Sequence, residues 1–207
     1  IAMSPMIRAL SIVCLVPALF SFQVALSQMT FQTVLGNQAN IFAHNGIQSQ
    51  DGSFYLIGTD ETKGSNHQKA LLIKLDPTGK FMWSKVYGAS REDVVYGIGQ
   101  LPNGNLYLGG WTSSFATEAH DPWMLKIDSS GEVIHSQVFS TPKNGAHFLG
   151  RVTSDGGWIG PGYNRGSEVG SAFELLKWDA MGNKEWERAY GTGISTLAYS
   201  VVETADG

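Results

Sequence analysis

Cysteine is nearly absent: Cys14 stands alone among 207 residues, so no disulfide can form within the chain. Charge is scarce too. Asp, Glu, Lys and Arg make up 15% of the residues, against about 25% in an average globular protein. The net charge of −4 gives no electrostatic basis for binding nucleic acid or an anionic membrane. Long apolar runs are missing as well. The longest, Ala9 to Phe22, is broken by Pro17 and falls short of the ~20 residues a membrane-spanning helix needs. The sequence holds no nucleophile elbow, no phosphate-cradling glycine loop and no pair of carboxylates at a recognisable catalytic spacing. It has no His-x-Glu or paired-His spacing on one element either, so no metal and no cofactor is implied.

What is abundant is glycine, 25 of 207 residues, and it recurs with a period. The stretch Leu71–Gly88 reads LLIKLDPTGKFMWSKVYG. Two apolar runs flank Asp76-Pro77-Thr78-Gly79. In such a turn Asp bonds the backbone it opens, Pro pre-sets φ, and Gly accepts the positive φ that closes it. The unit returns at Trp123–Ser140 and Glu174–Gly191. Asp76, Asp128 and Asp179 correspond, 52 and then 51 residues apart, as do Lys74, Lys126 and Lys177. Their recurrence at one turn position reads as turn capping rather than metal ligation. A second signal, Asp51-Gly52, Asn103-Gly104, Asp155-Gly156 and Asp206-Gly207, marks a hairpin at the same period.

Each repeat therefore holds four strands, a to d. They are expected at 41–50, 53–59, 70–76 and 80–87, then 94–101, 105–111, 122–128 and 132–139, then 146–153, 157–162, 172–179 and 183–190. A further d-type strand is expected at Gln28–Leu35 and a further a strand at Leu197–Thr204. Repeated four-stranded antiparallel units of this length predict an all-β chain, a β-propeller with about three full blades plus partial first and last ones. Propellers have typically ~4–8 blades, so the reading expects a piece of a larger ring. A β-trefoil would need neither extra strand. Residues 1–27 read as a signal peptide, with start at Met3 or Met6, Arg8 as the basic flank, and cleavage after Ala25-Leu26-Ser27. Residues 28–207 are the propeller repeats, secreted or displayed at the cell surface, with no membrane span in the mature chain.

The blade pattern resembles secreted bacterial β-propeller repeat proteins of the Bacteroidetes type. The residues that carry the likeness include Trp123, Lys126, Asp128 and Gly131 in the second repeat and Asp155, Gly156, Lys177, Asp179, Gly182, Trp186 and Tyr190 in the third. Many such proteins use a type IX secretion sorting domain, so the resemblance implies export. The pattern departs at His135, in place of Trp, and at Glu174, where Leu71 and Trp123 stand in the other copies; a one-residue register shift is expected there. The quinoprotein tryptophan-docking hairpin is one residue longer than Asp76–Gly79, which argues against a quinone cofactor.

In this architecture the a–b and c–d turns share one end, and their geometry is dictated by the backbone. The b–c loops (60–69, 112–121, 164–171) and the d–a loops (89–93, 141–145) differ between copies. Variable loops on a rigid scaffold are where binding residues lie. The candidate site residues are Trp111, His120, Asp121, Tyr163, Arg165 and Asp93. An aromatic beside carboxylates suits a sugar ring or a peptide. The expected function is an exported binding or scaffold module for a glycan, peptide or protein. The alternatives are a glycan-active or quinone-dependent propeller enzyme and a structural adhesin module.

Overall fold

Asp76 shows why the chain turns where it does. In the computed structural model its Oδ1 accepts hydrogen bonds from the backbone N of Thr78 (2.8 Å) and Lys80 (3.0 Å) and from the Thr78 hydroxyl (2.6 Å). Gly79 closes the turn at φ +82°, donating to the Asp76 carbonyl at 2.9 Å. Asp128 accepts the same three bonds, and Asp179 accepts the two backbone ones, with the Asn183 side-chain amide donating to its Oδ2 in place of a hydroxyl. These bonds favour the ionised form, led by the hydroxyls of Thr78 and Ser130 and the side chain of Asn183, and hold all three carboxyls below their ordinary pKa.

The structure describes residues 32, 40–61, 67–117, 119–139, 145–147, 150–167, 170–190 and 198–204. The chain divides into Ile1–Thr30 and Phe31–Gly207, and all described residues belong to the second unit. They form an all-β fold of three antiparallel sheets. The first has the order β1(Asn40–Gln48), β2(Phe54–Glu61), β3(Lys69–Leu75), β4(Phe81–Tyr87). The second runs β5(Asp93–Gln100), β6(Leu106–Thr112), β7(Asp121–Ile127), β8(Val133–Val138). In both, every expected strand is present, its ends shifted by one or two residues.

The third sheet differs from expectation. Its a strand is split into β9(Gly145–His147) and β10(Arg151–Val152), which pair separately with β11(Trp158–Ser167). β11 and β12(Gly170–Trp178) run through most of the expected 164–171 loop, pairing out to Ser167↔Gly170. β13(Lys184–Tyr190) is the outer edge. The expected register shift at Glu174 does not occur. Glu174 sits opposite Gly162 and Ala189, as Leu71 sits opposite Gly58 and Val86, so a carboxylate occupies a core position with 5% exposure. The expected a strand at 197–204 is reduced, among described residues, to a single bridge at Ser200. The signal segment and, apart from Gln32, the expected strand at Gln28–Leu35 lie outside the described residues.

The first strand of each of the first two sheets carries a bulge, between Ala43 and Asn45 and between Val95 and Gly97. The bulge brings the backbone so near its neighbour that a Cβ on Gly58 would overlap the Phe42 carbonyl, and one on Gly110 the Val94 carbonyl. Only glycine fits there.

The sheets pack through one recurring junction. Tyr55, Ile57, Ala70 and Leu72 of the first meet Val95, Leu106, Leu108, Trp123, Leu125 and Ile127 of the second in a shared core. Tyr107 and Met124 meet Trp158, Leu176 and Trp178 in the next. The polar contacts repeat too. Tyr55 donates to the Ser129 carbonyl at 3.3 Å, and Tyr107 to that of Ala180 at 2.8 Å. Gln100 Oε1 accepts from the Gln50 backbone N at 2.9 Å, and Glu203 Oε2 from that of Ser154 at 2.7 Å. Ser154 lies 52 + 52 residues after Gln50 and Glu203 lies 52 + 51 after Gln100, so residues 198–204 meet the third sheet at the place where β5 meets the first.

Candidate functional site

The turns gather at one end of the sheets, where Gly52 lies against Pro77 and Gly156 against Ala180. The b–c and d–a loops gather at the other. There the loop after β4 is held between two b–c loops: Asp93 N donates to the Gln68 carbonyl (2.9 Å) and Ser113 N to that of Glu92 (2.7 Å).

Asp93 opens β5 and is fully buried. Its Oδ2 accepts from Ala89 N (2.9 Å), from the Ser114 hydroxyl (2.6 Å) and from Lys69 Nζ (3.4 Å), and its Oδ1 from the Thr112 hydroxyl. A Cβ on Gly88 would collide with this carboxylate. Asp121 opens β7 and is also fully buried; it accepts from Thr117 N (2.8 Å) and the Thr117 hydroxyl (3.1 Å). Thr112 stands between the two in the sheet, paired with Asp93 on one side and Asp121 on the other. Both carboxylates therefore brace the loops from behind. Burial without such bonds would be costly, and here each has several.

Trp111 and His120 come together on the open side. Trp111 is the next residue of β6, His120 directly precedes β7, and both are half-buried. Their ring centroids lie 4.5 Å apart at 64°. His120 Nδ1 is hydrogen-bonded to the Ser113 hydroxyl at 2.8 Å, which fixes the ring and leaves Nε2 as the other polar edge. Phe115, 48% exposed, lies 5.8 Å from Trp123. Tyr163 and Arg165 lie in β11, Tyr163 opposite Phe173 and Ala146.

A second aromatic pair escaped the sequence reading. His44 and Tyr96 occupy the bulges of β1 and β5, with ring centroids 4.7 Å apart. His44 Nε2 is 3.3 Å from the Thr59 hydroxyl, and burial pushes its pKa down. The signal that marks them is Gly58 and Gly110, whose missing side chains make room for the bulged backbone.

Among the described residues no three His, Cys, Asp or Glu side chains come together as a metal site requires. Among them, too, no helix is long and apolar enough to cross a membrane. No family model and no curated protein matches the chain. Among solved structures it is similar to a protein of unknown function from Bacteroides caccae, at 13% identity and a TM-score of 0.48 over 74% of this chain. The chain spans about half of that structure's length, 48%.

Proposed function

We propose that the three sheets are blades of a β-propeller and that the chain is an exported binding module, acting outside the cytoplasm or at the cell surface. Ligand is taken up at the end formed by the b–c and d–a loops, by a glycan- or protein-recognition surface built from Trp111, His120, Tyr163 and Arg165 over the buried supports Asp93 and Asp121. The propeller reading is supported by the junction that recurs with the period of the sequence, including the Ser154–Glu203 contact. The binding reading is carried by one observation: Trp111 and His120 are half-exposed, in contact and braced from behind, at the end where the chain varies between repeats. Binding of the full chain to a glycan and peptide array tests it. Trp111→Ala and Tyr163→Ala are expected to weaken whatever binds without lowering Tm, and Lys80→Ala, beside the opposite turns, to leave it unchanged. Loss in the Lys80 variant with retention in the other two moves the site to the other end.

A further inference from the structure

Resting on the binding reading above, we infer that the Trp111–His120 site takes an uncharged sugar ring. Both carboxylates that the sequence places beside Trp111 are withdrawn from solvent. Asp93 and Asp121 are each 0% exposed, and their oxygens are occupied by Ala89, Thr112, Ser114, Thr117 and Lys69 of the same chain. Neither can reach a cationic ligand. The half-buried Lys69 is engaged in the same way: it pairs with Asp93 at 3.4 Å and donates to the Arg91 carbonyl. An anionic ligand would find no partner in it. Arg91 and Glu92, in the loop beside it, are adjacent and of opposite sign, and Arg165, the cation of the wider surface, stands on β11 of the third sheet rather than on the second sheet that carries the Trp111–His120 pair. What the Trp111–His120 pair presents is therefore half-exposed aromatic surface from Trp111 and the Nε2 edge of His120, the Ser113 hydroxyl being buried against His120 Nδ1. An apolar CH face needs the first, and ring hydroxyls need donors and acceptors that carry no net charge.

The full chain is titrated with neutral oligosaccharides, with uronate- or sulfate-bearing ones, and with basic and aromatic peptides, at low and high salt. Neutral sugars are expected to bind with an affinity that salt leaves unchanged, since nothing in the contact is screened. Trp111→Ala is expected to weaken that binding about ten-fold or more, and Trp111→Phe less. Saturation-transfer NMR on the unaltered protein, independent of any variant's folding, is expected to show contact at the sugar's CH protons. Trp111-dependent binding of charged sugars or of peptides, weakened by salt or not, overturns the neutral-sugar inference while leaving the binding site in place. If none of these probes binds in a Trp111-dependent way, the binding reading itself falls with it.

Discussion

Trp158 offers the sharpest test of how the second and third sheets are joined. Its side chain is 2% exposed and lies between the sheets, its ring 6.0 Å from that of Tyr107. Glycines wall it in. A Cβ on Gly109 would lie 2.8 Å from Cζ2, one on Gly97 2.9 Å from it, and one on Gly150 2.5 Å from Nε1. Trp158→Ala removes about 150–250 Å² of buried aromatic surface, which at about 25 cal/mol per Å² is roughly 4–6 kcal/mol before relaxation. Measured core truncations of this size cost about 3–5 kcal/mol. Gly150→Ala alone overpacks the same space and is expected to cost about 1–3 kcal/mol. In the double variant the new methyl enters the space the indole has left. The second substitution should then cost nearly nothing, giving a coupling of about 1–3 kcal/mol. Urea unfolding followed by far-UV circular dichroism reads this without depending on tryptophan emission. If the two costs add to within about 0.5 kcal/mol, Gly150 is not glycine on account of Trp158, and the packing argument fails.

Three further outcomes are expected. Gly110→Ala drives a methyl into the Val94 carbonyl and should destabilise far more than Gly104→Ala, which meets nothing within 4 Å and pays only for φ +85°, about 1–2 kcal/mol; comparable urea midpoints for the two would refute this. Hydrogen bonds from Lys177 and Thr153 hold the Asp155 carboxyl down to about 2. A depressed folded pKa stabilises above the unfolded value of 3.8 and is lost as pH falls toward 2, so Asp155→Asn should flatten the acid limb of the stability profile in that window. Because the Asp155 side chain is 54% exposed, solvent screening limits the effect to roughly 1 kcal/mol. Burial, and then the charges of Glu132 and Asp128, raise the Tyr87 phenol, which donates to the Gly131 carbonyl at 2.9 Å. Its contribution is fully present below the ordinary tyrosine pKa and is lost progressively as pH rises from there through its raised one. Ultraviolet titration of the folded protein should accordingly lack the Tyr87 ionisation near pH 10 that appears once the chain is unfolded, and Tyr87→Phe should leave the folded protein's titration near pH 10 unchanged.

The turns were legible in the sequence because their causes are local. Asp, two residues and Gly close a turn whatever lies around them, and so the three Asp-x-x-Gly turns fall where they were expected. The apolar pattern placed the strands of the first two sheets for the same reason. The third sheet was harder. Nothing in the order Gly145 to Thr153 says that its first strand is split into β9 and β10, and the polar run from Asn164 to Ser171 reads as a loop although the strands pair out to Ser167 and Gly170. Glu174 misled in the opposite direction: a charge at a core position suggested a slipped register, yet the chain keeps its register and buries the carboxylate. Asp93 and Asp121 looked like ligand groups because they border variable loops. Their shared neighbour, Thr112, is 19 residues from one and 9 from the other, and only the pairing of three strands shows that both carboxylates point inward.

The recurring junction also governs how the molecule comes apart. Within each of the first two sheets, strands adjacent in sequence are adjacent in space, and each shared core joins a sheet only to the next one. Stability in such a chain behaves as a row of coupled units, each term belonging to one sheet or to one boundary. A lesion at Trp158 weakens the boundary of the second and third sheets and leaves that of the first and second intact. Cooperativity is then a matter of boundary strength: once one boundary becomes weaker than the sheets it joins, a single melting transition should resolve into two. Synthesis gains from the same arrangement. Each four-strand meander can pair its strands as soon as it has emerged, and the face it leaves waiting is the template on which the following repeat condenses.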